Sequence, residues 1–98
     1  MTAERPSLTL DHVVRRAQRT AETMIDGELI VLLIDDGACF GLNSTATRVW
    51  QLIGDGPSPL RDVRDALVAE FDVEPTACER ELLTLVEAIR GDGLLEAI

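Results

Sequence analysis

The chain has no lysine, no tyrosine, a single histidine, two cysteines and only three aromatic residues among its 98 positions. Each shortage excludes something. Without lysine, nine arginines stand against eighteen acids, a formal charge of -9. A protein that grips nucleic acid must neutralise phosphates with Lys and Arg, so nucleic-acid binding is not expected. An anionic membrane surface would repel the chain as well. The longest apolar run, Leu29 to Ile34, falls far short of the ~20 residues that cross a bilayer. Met1-Thr2-Ala3-Glu4-Arg5-Pro6 lacks the apolar stretch of a secretory signal, which makes the cytoplasm the expected compartment. What is present is 46% apolar residues, enough for one core and one domain over residues 1–98.

The same shortages empty the catalytic and metal inventory. Cys39 and Cys78 lie far apart with no CxxC pair and no neighbouring His, so no zinc site is expected. Both read as buried free thiols rather than a disulfide. His12 with Cys39 is the one conceivable base and nucleophile pair, and the apolar strand context of Cys39 beside Phe40 argues for an inert thiol. Asp35 and Asp36 read as turn residues whose side chains bond the local backbone. Ser7, Ser44 and Ser58 follow Pro6, Asn43 and Pro57, which is not the context of a phosphopantetheine-bearing carrier protein. No catalytic residue, no metal and no cofactor are expected, and a protein-interaction module is what remains.

The chain changes period near its middle. Glu22 to Ile25, Leu29 to Ile34 and Ala38 to Leu42 read as three antiparallel strands joined at Asp26-Gly27 and Asp36-Gly37, both type I′ turn signals. Leu8 to Arg19 is ambiguous: Leu8, Leu10, Val13 and Val14 suit a further short strand, with Arg15, Arg16 and Arg19 on a solvated face. Residues 1–20 are therefore expected to be the flexible part of the domain. After Leu42 the period is helical. Asn43 or Ser44 caps a helix with Ala46, Val49, Trp50 and Ile53 on one stripe, ended by Gly54. Ser58-Pro59 reads as the cap and first turn of a second helix that buries Leu60, Val63, Leu67 and Phe71. Pro75 opens a third helix with Cys78, Leu82, Leu85, Val86 and Ile89 inward, stopped at Gly91 and Gly93. Leu94 to Ile98 returns to the core as a short strand. The fold class is α+β, a three-stranded antiparallel sheet followed by three helices, like a winged helix-turn-helix. Charge follows the same division: residues 1–50 hold five Arg and seven acids (net -2), residues 51–98 four Arg and eleven acids (net -7).

The stretch Gly37-Ala38-Cys39-Phe40-Gly41-Leu42-Asn43, with the Val49-Trp50 pair, the Asp55-Gly56 stop, Val63, Leu67, Phe71-Asp72-Val73 and Gly91-Asp92-Gly93-Leu94-Leu95, resembles the PqqD-like family. Its members are the recognition elements of ribosomally synthesised precursor peptides. The likeness runs from about Gly27 to Leu95 and is nearest to the standalone recognition proteins of lasso-peptide biosynthesis. The resemblance implies binding without catalysis: a precursor's leader segment adds as a strand to the third strand of the sheet, in the groove against the third helix. By position, the leader-binding residues are Ala38, Cys39, Phe40, Gly41 and Leu42 on the strand and Glu79, Leu82, Leu83, Val86 and Arg90 on the helix. Leu82 and Val86 also lie on the core stripe, whereas Leu83 is off it; Trp50 and Phe71 read as core. Where many relatives carry two aromatics this chain has Cys39-Phe40.

The implied partners are a precursor leader peptide and a separate maturation enzyme. In lasso systems that enzyme is a leader peptidase, a cysteine protease; in the quinone-cofactor branch it is a radical enzyme. The chain itself is expected as a monomer or homodimer. The competing reading is a winged-helix transcriptional regulator, or an interaction module that binds no leader. Its sequence feature is the Arg15-Arg16-Arg19 cluster, set against the three acids and two arginines of the third helix.

Overall fold

Local turn chemistry builds the first part of the chain in this computed structural model, which describes residues 8–98. Strand β1 spans Val13–Arg16, β2 Thr20–Ile25, β3 Glu28–Leu33 and β4 Cys39–Leu42. Asp26 and Gly27 both take positive φ (52° and 81°), the two-residue type I′ turn expected between β2 and β3. The second turn differs from expectation. Only Gly37 has positive φ, and the Gly37 N–H donates to Leu33 C=O across a four-residue loop. Asp36 instead accepts the Ala38 N–H at 2.9 Å, the local backbone bond expected of a turn aspartate.

Three helices follow: α1 Ser44–Ile53, α2 Leu60–Phe71 and α3 Pro75–Gly91. Asn43 is the cap of α1, its Oδ1 accepting the Ala46 N–H at 2.8 Å. Glu74 caps α3 through Ala77 N–H at 2.7 Å, and Pro75 sits in the first turn as expected. The expected cap of α2 is corrected. Ser58–Pro59 is a two-residue strand, β5, whose Ser58 hydroxyl donates back to Ile53 C=O. The free N–H groups at the start of α2 are satisfied by the N-terminal segment: Leu60 N–H donates to His12 C=O and Arg61 N–H to Leu10 C=O. Backbone carbonyls replace a side-chain cap here.

The three-stranded antiparallel sheet ahead of the helices is present, in the order β2-β3-β4. A second sheet accompanies it, in the order β5-β1-β6, where β6 is Leu95–Ala97. The ambiguous N-terminal segment is thus ordered from Leu8 and supplies the central strand of that second sheet, while residues 1–7 lie outside the described part. The tail forms the short strand expected of it, burying Leu94 and Leu95 and leaving Ile98 exposed.

Trp50, 1% exposed, sits where the two sheets and α1 meet. Its indole N–H donates to Glu22 of β2 at 2.6 Å. Arg16 of β1 lies 4.6 Å from the ring centroid and donates twice to the Trp50 carbonyl, at 2.7 and 3.2 Å. Arg16 is therefore not on a solvated face; its guanidinium closes a carbonyl in the last turn of α1. Arg48 on α1 grips Glu70 on α2 through two bonds of 2.7 and 2.9 Å. The stripes Ala46, Val49, Trp50, Ile53 and Leu60, Val63, Leu67 are buried, as are Cys78, Leu82, Val86 and Ile89. Phe71 departs from its expected place in the core, being 55% exposed. The helical period sets the angle of a side chain around the axis but not whether the neighbouring elements extend that far along it.

Candidate functional site

Each outer strand of the β2-β3-β4 sheet pairs on one side only among the described residues, so β2 and β4 are both edges. Ladder alternation decides which groups β4 offers. Leu33 N–H donates to Ala38 C=O at 2.8 Å. Counting from that bond, Phe40 and Leu42 turn their N–H and C=O toward β3, opposite Val31 and Leu29. Cys39 and Gly41, opposite Leu32 and Ile30, turn theirs outward. The open side of β4 therefore presents two donor and acceptor sets, one from Cys39 and one from Gly41.

Side chains alternate across the same strand. Phe40, half-buried, and Leu42, buried, face the helices. Cys39 and Gly41 face away from them and are exposed. This corrects the expected burial of Cys39; only Cys78 is a buried thiol, and neither is in a disulfide. Burial pushes the Cys78 thiol up, so it stays protonated. His12 is occupied locally, its Nδ1 accepting the Thr9 N–H at 2.9 Å.

A cavity of about 300 Å³ opens next to the C-terminal end of β4, between the first turn of α1 (Ser44, Thr45), the end of α2 (Leu67, Phe71), Val73, and Cys78 and Glu81 of α3. A smaller one of about 170 Å³ shares Thr45, Leu67, Cys78 and Glu81 and extends toward Asn43, Val49, Leu82 and Leu85. Phe71 and Val73, 55% and 41% exposed, form an apolar lip on either side of Asp72, whose left-handed conformation (φ 52°) ends α2. Glu81 is the acid on this rim.

The residues expected at the site fall into three groups. Cys39, Phe40, Gly41 and Leu42 form the edge strand; Ala38 adjoins it with its N–H and C=O already bonded to Asp36 and Leu33. Leu82 lines the smaller cavity, and Val86 is wholly buried. Glu79, Leu83 and Arg90 lie elsewhere on α3: Glu79 approaches Arg64 of α2 at 3.5 Å, Arg90 approaches Glu87 at 3.4 Å, and Leu83 packs against the core. The cavity-lining flank of α3 is Cys78, Glu81, Leu82 and Leu85. Sequence reasoning missed Glu81, Leu85, Phe71 and Val73 as lining residues; the signal for the last two was a large apolar pair astride a helix-ending aspartate.

The arginine cluster that would favour nucleic acid is spent on acids and on the core. Arg15 pairs with Glu96 at 2.8 Å, Arg19 with Asp35 at 2.7 Å, and Arg16 holds Trp50. No group of three or more metal-ligating side chains occurs among the described residues. No helix among them is long and apolar enough to cross a membrane.

No curated protein matches the chain. Among solved structures it is similar to one described as TbiB1 in complex with the TbiA(beta) leader peptide, with a TM-score of 0.74 and 30% identity over 84% of this chain and 94% of that one. The model of the family described as coenzyme PQQ synthesis protein D matches residues 28–95, the interval from the start of β3 through all three helices to β6. An open β4 edge beside an apolar cavity is thus carried by a fold shared with a leader-peptide complex, and the chain belongs to the PqqD family.

Proposed function

We propose that the protein binds the leader segment of a ribosomally synthesised precursor peptide, without catalysis, by antiparallel strand addition to β4. The observation that carries this is the outward-facing N–H and C=O of Cys39 and Gly41, on a strand that ends at the apolar cavity of Phe71 and Val73. The similarity to a solved leader-peptide complex supports it. An unguarded edge strand invites aggregation unless it is used, and strand addition uses it. Main-chain bonds to Cys39 and Gly41 supply sequence-tolerant affinity, while Phe40, Leu42 and the cavity select apolar side chains on the helix-facing side.

Because β4 runs toward the cavity, an antiparallel partner enters there with its N-terminal residues and leaves past Ala38. Of the ten residues expected at the site, Cys39, Phe40, Gly41, Leu42 and Leu82 carry this proposal, with Ala38 and Val86 supporting them. Phe71, Val73, Cys78, Glu81 and Leu85 join them in place of Glu79, Leu83 and Arg90. The bound leader is handed to a separate maturation enzyme, a cysteine leader peptidase of a lasso-peptide system. The acidic balance of the helical half favours leaders that carry arginine or lysine.

Calorimetric titration with the leader of the precursor encoded beside the gene tests the proposal. The expected dissociation constant is nanomolar to micromolar, about 8 to 12 kcal/mol. Absence of saturable binding to any neighbouring precursor overturns it.

A further inference from the structure

Strand addition at β4 leaves the outer face of the incoming strand, the one turned away from the helices, without an assigned reader. Gly41 lies on that face, and the position its Cβ would occupy is 2.5 Å from Glu28 Oε1 and 3.5 Å from Ile30 Cδ1. Glu28, at the start of β3, therefore reaches diagonally across the edge strand and lays its carboxylate over the bare backbone of Gly41. Among the described residues Glu28 has no salt bridge. By register its neighbours on this face are Ile25, opposite it on β2, and Ile30, two positions along β3, neither of which carries a compensating charge.

We propose that Glu28 is a specificity-determining residue that selects Lys or Arg at one position of the bound peptide, the residue opposite Gly41. The inference rests on strand addition at β4. Residues directly opposite on neighbouring strands project to the same face, so the side chain opposite Gly41 emerges on the outer face beside Glu28. Any side chain at position 41 would intervene; glycine removes it and leaves the carboxylate as the first group met. The helix-facing positions of the peptide meet Phe40 and Leu42, and the acid on that side, Glu81, stands on the cavity rim of α3 rather than over the edge strand. The ligand class is thus an extended peptide with apolar residues on one face and a basic residue on the other, two positions before the residue opposite Cys39.

A displayed library of random peptides panned against the full chain tests this, with Glu28→Gln and Glu28→Lys variants run in parallel. The wild type is expected to enrich Lys or Arg at a single outer-face position, Glu28→Lys to enrich Asp or Glu there, and Glu28→Gln to show no preference. For a synthetic peptide selected on the wild type, replacing that Lys by Gln lowers affinity about fivefold on the wild type and leaves affinity for Glu28→Gln unchanged. Glu28 is exposed at a turn, and Glu28→Gln keeps the comparison intact should the lysine variant fold poorly. Binders that emerge with the same charge preference on all three proteins overturn the role of Glu28 and leave strand addition standing. Failure to enrich any binder on the wild type overturns strand addition itself.

Discussion

The two sheets of this domain are equal in strand number and opposite in construction. The β5-β1-β6 sheet is assembled from three distant segments and closes its edges by shortness: β5 has two residues, one of them Pro59 with no N–H, and β6 has three. The β2-β3-β4 sheet is one continuous meander of local hairpins, with edges of six and four residues left open. One sheet ties both ends of the described chain to the core through the buried Val14, Leu94 and Leu95. The other holds its inner face on α1 and offers its rim. Under the proposed function this separates stability from recognition, and Trp50 is where the two sheets touch, bonded to Glu22 in one and Arg16 in the other.

The largest expected effect comes from breaking that junction. Trp50→Ala removes a fully buried indole, and with it the Glu22 bond and the ring face under Arg16, while Arg16 keeps its bonds to the main-chain carbonyl; the cost is about 3–5 kcal/mol, a large fraction of what a domain this size possesses. Denaturant unfolding followed by circular dichroism should show both sheets lost in one earlier transition; retention of wild-type stability would mean that the sheets are not coupled through this residue. Gly41→Pro makes the opposite cut. The Gly41 N–H points away from β3, so its loss spares the internal ladder and removes a donor from the open edge. Leader affinity is expected to fall about tenfold, the scale of one lost main-chain bond with its crowding, while the unfolding midpoint stays close to wild type. Unchanged affinity in the folded variant places the peptide elsewhere, with the β2 edge the next to test.

Phe71→Ala probes the cavity lip with a smaller effect. Phe71 is 55% exposed, so about half of the 1.5–3 kcal/mol that a buried phenylalanine contributes remains to be gained on contact with a peptide. Affinity should drop about fivefold with little change in stability. A variant that loses stability instead would return Phe71 to the core.

These contrasts also explain what could be read from the sequence. The meander was legible because its signals are local: Asp26-Gly27 sets a two-residue turn, and the three helices announce themselves through Asn43, Pro75 and their apolar stripes. The second sheet was not, because Val13–Arg16, Ser58–Pro59 and Leu95–Ala97 are each too short to show a period and meet only after α2 and α3 have packed. Ser58-Pro59 looked like a helix cap for the same reason: its strand pairing depends on Val13 and Val14, far away in sequence. The edge strand was legible through its Phe40-Gly41-Leu42-Asn43 ending, whereas the flank of α3 that lines the cavity was not, the expected Glu79, Leu83 and Arg90 lying round the helix from it. A core stripe reveals which side of a helix faces inward, and not which border of that stripe adjoins the strand edge. Cys78, Glu81 and Leu85 border the cavity; Glu79, Leu83 and Arg90 border the other side.

The two cysteines report the same division at almost no energetic cost. Cys39 stands exposed on the open edge, with its side chain on the outer face, while Cys78 is buried among α1, α2 and α3 and its thiol is held protonated by burial. The thiolate is the reactive form, so accessibility and burial act in the same direction on the two residues. Brief treatment of the native protein with iodoacetamide at neutral pH should modify Cys39 completely and leave Cys78 untouched until denaturant is added, as read by intact-mass and peptide mass spectrometry. A saturating leader peptide should slow the modification of Cys39, because a strand added to β4 covers its backbone and places a side chain beside its sulfur. Equal labelling of both cysteines in the native state would mean that the helical core opens as readily as the sheet rim. Undiminished labelling of Cys39 in a demonstrated complex would put the peptide off the β4 edge while leaving the contrast between the two sheets intact.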